Sequence, residues 1–369
     1  MNEYIKGIKP YQAASHDIWS CGIKDSAGYL KLDWNEATVP PSPRVRERIL
    51  ELASAPCFFQ WYPNTDNQRL LQAIGDYVGV KEGNVQVFPS SDTLHEYIAR
   101  TYLKDGDKAI MMWPTYDNFR VAAESVGADI VYYEMDNFCF DAEKMGTLVR
   151  SSGARLAYLC NPNNPTGEGL ETESLDKLIR ENHDCIFVVD EAYMEFFGRT
   201  MCRQAAETHN LLVSRTFSKA FGLANFRIGY LVASVENIEA VSRIRNAKSI
   251  STFAQEAALA ALEDLPYMQG YVREVVQARQ MFMEGIGGLG RGIRAYPSEA
   301  NFILISLGSE VARDRLADFL KEKKIYIRKP CQCDGVRDCV RVTIGTVGQM
   351  KYVMRWIKEF VVEHEDCFV

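Results

Sequence analysis

From Val85 to Ala233 short apolar runs alternate with stretches of helical periodicity. The runs VQVF (Val85 to Phe88), KAIMMW (Lys108 to Trp113), ARLAYLC (Ala154 to Cys160), CIFVVD (Cys185 to Asp190), NLLVSRTF (Asn210 to Phe217) and RIGYLVA (Arg227 to Ala233) are apolar on both alternating faces. That pattern predicts strands buried from two sides. Between them, LHEYIARTYL sets Leu94, Tyr97, Ile98 and Thr101 on one helical face, and the stretch through Val121 to Val126 is amphipathic. Strands separated by helices predict an α/β architecture, a parallel sheet covered on both faces, with ligands beyond the carboxyl ends of its strands. After about Phe253 the texture changes. A helical segment from Tyr267 to about Met283 runs into Gly-rich IGGLGRG. NFILISL, a helix ending near Lys324, the strands KIYIRK and CVRVTIGT, and an amphipathic helix from Gln349 follow. The expected organisation is an irregular arm (1–30), packed on the small domain or on a partner subunit, a large domain (31–255) and a smaller α+β domain (256–369).

Composition narrows the function classes. At 369 residues, 47% apolar and 25% charged, the chain has ample material for a large core. A net charge of -7 argues against nucleic acid or an acidic membrane as partner, and leaves room for a local basic pocket. No apolar run is long enough for a bilayer, and MNEYIKGIKPYQ lacks the apolar segment of a secretory signal, so a cytoplasmic protein is expected. The ten cysteines are scattered and read as free thiols. Cys331, Cys333 and Cys339 cluster without zinc-like spacing or a nearby His, so no metal is expected.

The chemistry gathers where the strands end. VQVFP is followed by Ser90, Ser91, Asp92 and Thr93, good N-cap residues whose helix start presents free N–H groups to an anion. ARLAYLC runs into NPNNPTG (Asn161 to Gly167), which has more Asn and Pro than a turn requires and suggests a rigid loop presenting an amide. CIFVVD ends on Asp190, which either caps the next helix or meets a cationic ring nitrogen. NLLVSRTF leads to Ser218 and Lys219, and Arg227 follows eight residues later. A lysine there is ordinarily solvated, but partial desolvation makes it a nucleophilic amine. Each signal alone has a plain structural reading. Together they supply phosphate donors, an amide, a carboxylate for a pyridinium and a lysine, the parts of a pyridoxal 5'-phosphate site.

NPNNPTG, DEAY (Asp190 to Tyr193), RTFSKAFGLANFRIGY (Arg215 to Tyr230) and VRVTIGT (Val340 to Thr346), with LDWNEA, WYPNTDN and SEANFIL, are similar in order and spacing to one family. Over nearly its whole length the chain resembles the fold-type I pyridoxal-phosphate aminotransferases of class I/II, in the histidinol-phosphate aminotransferase-like group. The resemblance implies the aspartate-aminotransferase-like fold and a homodimer with shared active sites. It implies that Lys219 carries the cofactor and moves the substrate proton, while Asp190 pairs with the pyridinium nitrogen. Asn164 and Tyr193 would bond the phenolic oxygen, and Tyr116 would stack on the ring. Ser91, Asp92, Ser218 and Arg227 would hold the phosphate, with Tyr62 reaching the neighbouring subunit's cofactor. Arg341 would grip the substrate carboxylate as a fork. Arg328 matches a second anion position, and Asn35 and Tyr11 line the substrate side.

Departures from the group fall on that side. Asn35, Glu36, Ala37 and Thr38 stand where the group usually carries Asn-Glu-Asn-Pro and a glycine. Thr93 stands where a Glu usually follows the Asp, and QAASHD follows Tyr11 where some members carry a basic residue. These changes leave the cofactor residues intact and fall on the acceptor side, so imidazole-acetol phosphate, another small phosphorylated ketone and an aromatic keto acid all stand as candidate acceptors. The expected activity is amino transfer from an amino acid, with L-glutamate as donor, to a small, possibly phosphorylated carbonyl acceptor. The alternatives are a decarboxylase of an O-phospho-amino acid on the same fold, and a binding protein of this fold without turnover.

Overall fold

The computed structural model describes residues 2–11, 18, 28–330 and 334–368. Strand β1 (Leu30–Leu32) precedes one seven-stranded sheet of β2 (Val85–Phe88), β3 (Lys108–Trp113), β4 (Asp129–Glu134), β5 (Leu156–Cys160), β6 (Ile186–Asp190), β7 (Leu211–Thr216) and β8 (Gly229–Ala233). The order is β2-β8-β7-β6-β5-β3-β4. β8 runs antiparallel to both neighbours and the other pairings are parallel. All six apolar runs are therefore strands. Alternation explains why they read as continuous: Leu156, Tyr158 and Cys160 join the apolar layer of Leu94 and Phe119, while Ala157 and Leu159 join the opposite layer. The pattern does not reveal β4, because this edge strand buries only Tyr133.

Beyond the sheet, β10 (Phe302–Ser306) pairs antiparallel with β9 (Arg294–Ala295) and β12 (Cys339–Thr343). β1 pairs in parallel with β11 (Ile325–Ile327), Leu30 opposite Ile325, so the segment after β1 is tied to the C-terminal part of the chain. The helix expected to end near Met283 spans Leu265–Gly287. Its Gly285 is where the last helix, Val347–Glu363, comes close: a Cβ there would sit 2.7 Å from Met354 Cε. That last helix starts before Gln349 because Thr346 Oγ1 accepts from Gln349 N (3.2 Å) and Gln349 Oε1 accepts from Thr346 N (2.8 Å), a reciprocal cap.

Within the single chain, the start of the arm meets the large sheet's own helices. Its Glu3–Gly7 turn is followed by Lys9, whose carbonyl accepts from Arg120 NH2 at 2.9 Å, which docks it on the helix Asn118–Ser125 of the large sheet. QAASHD, Cys331 and Cys333 lie outside the described residues. Cys339 is fully buried in β12.

A buried ion cluster braces the ends of β6 and β7. Arg215, with none of its surface exposed, donates to Glu191 Oε2 (3.3 Å) and Glu195 Oε1 (2.7 Å). Glu191, equally buried, also accepts from Thr200 Oγ1 and Met201 N, both at 2.6 Å. Removing one partner of such a set strands buried charge, so Arg215→Met is expected to lower the unfolding free energy by about 3–5 kcal/mol, read by urea denaturation of the cofactor-free protein. A change below about 1 kcal/mol, the range of exposed pairs, would show that the cluster braces nothing.

Candidate active site

The carboxyl ends of β2, β3, β5, β6 and β7 open on one edge of the sheet, and the expected residues meet there. β2 leads into the helix Ser90–Tyr102, where Ser90 Oγ accepts from Thr93 N at 3.3 Å and the preceding N–H groups of Ser91 and Asp92 are left for another acceptor. Ser90 adopts φ 86°, and the turn comes so close to β8 that a Cβ on Gly229 would lie 2.8 Å from Ser91 N. Asp92 faces this helix start with both oxygens engaged: Oδ1 accepts from Tyr116 Oη at 2.8 Å, and Oδ2 from Arg227 NH2 at 3.1 Å. Ser218 N donates to Thr216 Oγ1 (3.1 Å), which donates to Ser218 Oγ (2.9 Å), fixing the loop after β7.

Lys219 sits at the centre. Its Nζ donates to the Trp34 carbonyl at 2.9 Å and lies 5.7 Å from the Tyr193 ring centroid. Its pKa is lowered to about 8, chiefly by burial, with Arg341 and Lys31 acting in the same direction and Glu36 and Asp92 opposing them. The neutral, nucleophilic amine is therefore accessible near neutral pH. A group of this pKa predicts that capture of an aldehyde by the cofactor-free chain accelerates roughly tenfold from pH 7 to pH 9 and then levels off. An ordinary lysine would keep gaining about tenfold per pH unit up to about pH 10. Stopped-flow absorbance with pyridoxal phosphate separates the two profiles.

Asp190, 2% exposed, ends β6 directly beside Cys160 and Ser214 on the neighbouring strands. Burial pushes its carboxyl up, while His95, the Tyr158 hydrogen bond and the Ala192 amide push it down. The NPNNPTG loop divides its work. Asn161 Oδ1 accepts from Leu170 N (2.8 Å), and Asn163 Oδ1 accepts from Thr115 Oγ1 (2.7 Å), so both amides are spent on tying the loop to the segments beside it. Asn164 points the other way and accepts from Arg341 NH1 at 2.6 Å.

Arg341 projects from β12 and is 8% exposed. Its NH2 donates to the Asp33 carbonyl at 2.6 Å, and its Nε is buried without a hydrogen-bond partner. A buried guanidinium whose hydrogen-bond acceptors are neutral oxygens is a ready site for an anion. Arg328 joins it through backbone hydrogen bonds in both directions (3.0 and 2.7 Å). Asn35, 1% exposed, donates from Nδ2 to Tyr193 Oη and exchanges two hydrogen bonds with Thr343, each at 3.1 Å. Tyr11 packs edge-on to Tyr116, ring centroids 5.6 Å apart.

Tyr62 stands apart in the single chain. It is 79% exposed, and its ring lies under Lys248 Nζ at 4.7 Å rather than against this cluster. The sequence reading also misses Trp34, Thr216, Tyr158 and His95. Trp34 acts through a carbonyl, which no side-chain pattern signals. Tyr158 lies inside a run read only as a buried strand, and His95 lies off the helical face that the periodicity marks.

The donor set suits pyridoxal phosphate: a helix start, Arg227 and Ser218 for a phosphate, an acid at the strand end for a ring nitrogen, and an amine of lowered pKa for the aldehyde. The orphaned Arg341 Nε adds an anion donor on the substrate side.

Comparison with known proteins points to the same cofactor. The model for aminotransferases of class I and II matches residues 27–357. A dihydroxyacetone phosphate transaminase of Campylobacter jejuni is 40% identical over 97% of this chain and 96% of its own length. A histidinol-phosphate aminotransferase of Methanocaldococcus jannaschii is 31% identical over 98% of this chain and 97% of its own. The crystal structure of histidinol-phosphate aminotransferase from Sinorhizobium meliloti with pyridoxal 5'-phosphate superposes with a TM-score of 0.83 at 25% identity, covering 90% of this chain and 91% of that one. The large, mostly parallel sheet is that of the aspartate-aminotransferase-like fold type I. With the family model covering most of its length, the chain belongs to the pyridoxal-phosphate-dependent aminotransferases of class I and II, within the histidinol-phosphate aminotransferase-like group.

Proposed function

We propose that this aminotransferase moves the amino group of L-glutamate to a small phosphorylated ketone, with dihydroxyacetone phosphate as the first candidate. The observation that carries the anionic substrate is Arg341, buried beside Arg328 and bonded to neutral oxygens while its Nε has no partner. The acceptor follows the Campylobacter jejuni relative, at 40% identity against 31% for the Methanocaldococcus jannaschii enzyme, and the departures at Ala37 and Thr38.

Pyridoxal phosphate, when bound, supplies the electron sink for the pair left when the substrate Cα loses its proton. The chain supplies the rest. Helix amides at Ser91 and Asp92, with Ser218 and Arg227, hold the phosphate. Asp190 keeps the ring nitrogen protonated, and Asn164 and Tyr193 orient the phenolic oxygen. Tyr116 covers the ring. Lys219 Nζ would anchor the cofactor through its aldehyde carbon, and its freed amine would take the proton from the substrate Cα. Arg341 grips the donor carboxylate, and Arg328, Asn35 and Tyr11 shape the acceptor side. Exposed Phe59 and Trp61, beside Tyr62, support a homodimer that brings Tyr62 to the partner's phosphate.

The test mixes holoenzyme with L-glutamate and follows 2-oxoglutarate, then supplies dihydroxyacetone phosphate. Stoichiometric 2-oxoglutarate, and recovery of the original cofactor spectrum on adding the ketone, are expected, with parallel double-reciprocal plots. Recovery only with another carbonyl compound overturns the acceptor. Carbon dioxide released from an O-phospho-amino acid, with no keto acid formed, overturns amino transfer.

A further inference from the structure

Tyr158 carries a hydroxyl into the interior of the sheet. It is central in β5 with none of its surface exposed, in a layer otherwise built from Phe88, Met111, Val188 and Leu212. A phenylalanine would fill that volume. The added hydroxyl needs a partner to offset its desolvation, and it finds Asp190, donating to Oδ2 at 2.6 Å. That length belongs to a charge-assisted O–H···O⁻ bond. Burial and the adjacent carboxylate push the phenol's own ionisation far up, so it acts as donor.

The ring is clamped. Phe119 stacks on it at 4.7 Å and 12°, and His95 meets it edge-on at 5.3 Å. His95 is itself fully buried and tied to Ser214 Oγ at 3.1 Å, with Nε2 3.8 Å from Asp190 Oδ2. Asp190 Oδ1 accepts from Ala192 N at 3.2 Å. Tyr158 thus bonds one carboxylate oxygen from a rigid seat while a backbone amide bonds the other.

We propose that Tyr158 is a positioning residue that acts through Asp190: its hydroxyl keeps the carboxylate ionised and oriented, and so keeps the ring nitrogen of bound pyridoxal phosphate protonated. This rests on the reading of Asp190 as the partner of that nitrogen. Without the hydroxyl the carboxylate is more basic and draws the shared proton from nitrogen to oxygen. The electron sink weakens, although nothing that touches substrate has changed.

The experiment loads holoenzyme with cofactor labelled with ¹⁵N at the ring nitrogen and records its chemical shift. Tyr158→Phe is expected to move the resonance toward that of unprotonated pyridine and to lower kcat about ten- to a hundredfold, with KM for glutamate little changed. Incorporating 3-fluorotyrosine at position 158 keeps the shape and strengthens the donor, so its resonance is expected to move the opposite way, further toward that of protonated pyridine. This second protein keeps the test open if the phenylalanine variant folds poorly. Asp190→Ala is the control for the underlying reading. If it leaves the resonance in place, Asp190 does not partner the nitrogen and both readings fall. If it moves the resonance while Tyr158→Phe and the fluorinated protein both match the parent, Tyr158 is structural filler and only this inference falls.

Discussion

Lys219→Ala is expected to reduce amino transfer about ten-thousandfold, the upper range for loss of a positioned proton-transfer group. The substitution removes an amine that donates to the Trp34 carbonyl and leaves Arg341, Asn164 and Asp190 with their own partners. The variant therefore folds and still binds pyridoxal phosphate through noncovalent contacts. Borohydride reduction followed by mass spectrometry reads the anchor directly: the parent retains the cofactor mass on the peptide containing Lys219, and the variant retains none. Turnover within tenfold of the parent, or cofactor mass on another lysine, would falsify the assignment.

Arg341→Ala is expected to cost about a hundred- to a thousandfold in kcat/KM for glutamate, most of it in KM. A buried charged contact is worth about 2–5 kcal/mol, and each 1.36 kcal/mol is tenfold. The side chain is 8% exposed, so the substrate carboxylate meets it largely out of water. Arg341→Lys keeps the charge but loses the planar fork and should recover only part of the loss. The measurement is steady-state kinetics with glutamate varied at a saturating ketone. Because Arg341 also donates to Asn164, the cofactor spectrum of both variants is recorded alongside. An unchanged KM for glutamate would place the donor carboxylate elsewhere.

The chain's own pattern determined the strands and their chemistry. A strand buried on both faces must be apolar at every position, so the six runs that form β2, β3, β5, β6, β7 and β8 stood out from their helices. The polar residues that break each run at its carboxyl end are the ones that need a reason, and Asn164, Asp190, Ser218 and Lys219 all lie there. β4 escaped because an edge strand has no such requirement. The Leu265–Gly287 helix outran its expected end because Gly285 is held against Met354, a contact far away in sequence.

Only the tertiary structure decided how the site is wired. β1 pairs with β11 across nearly three hundred residues, and that pairing brings the Trp34 carbonyl to Lys219 and Asn35 to Tyr193. Strand neighbours set Tyr158 beneath Asp190, although the sequence separates them by 32 positions. Local periodicity records whether a residue is buried. It does not record which backbone carbonyl or carboxylate the residue meets there, because that depends on strand order and on the closing of long loops. Desolvation of Lys219 to a pKa of about 8, and the packing of Arg341 between Asn164 and Asp33, are properties of that assembled site, because a low-dielectric surrounding exists only once distant segments have come together.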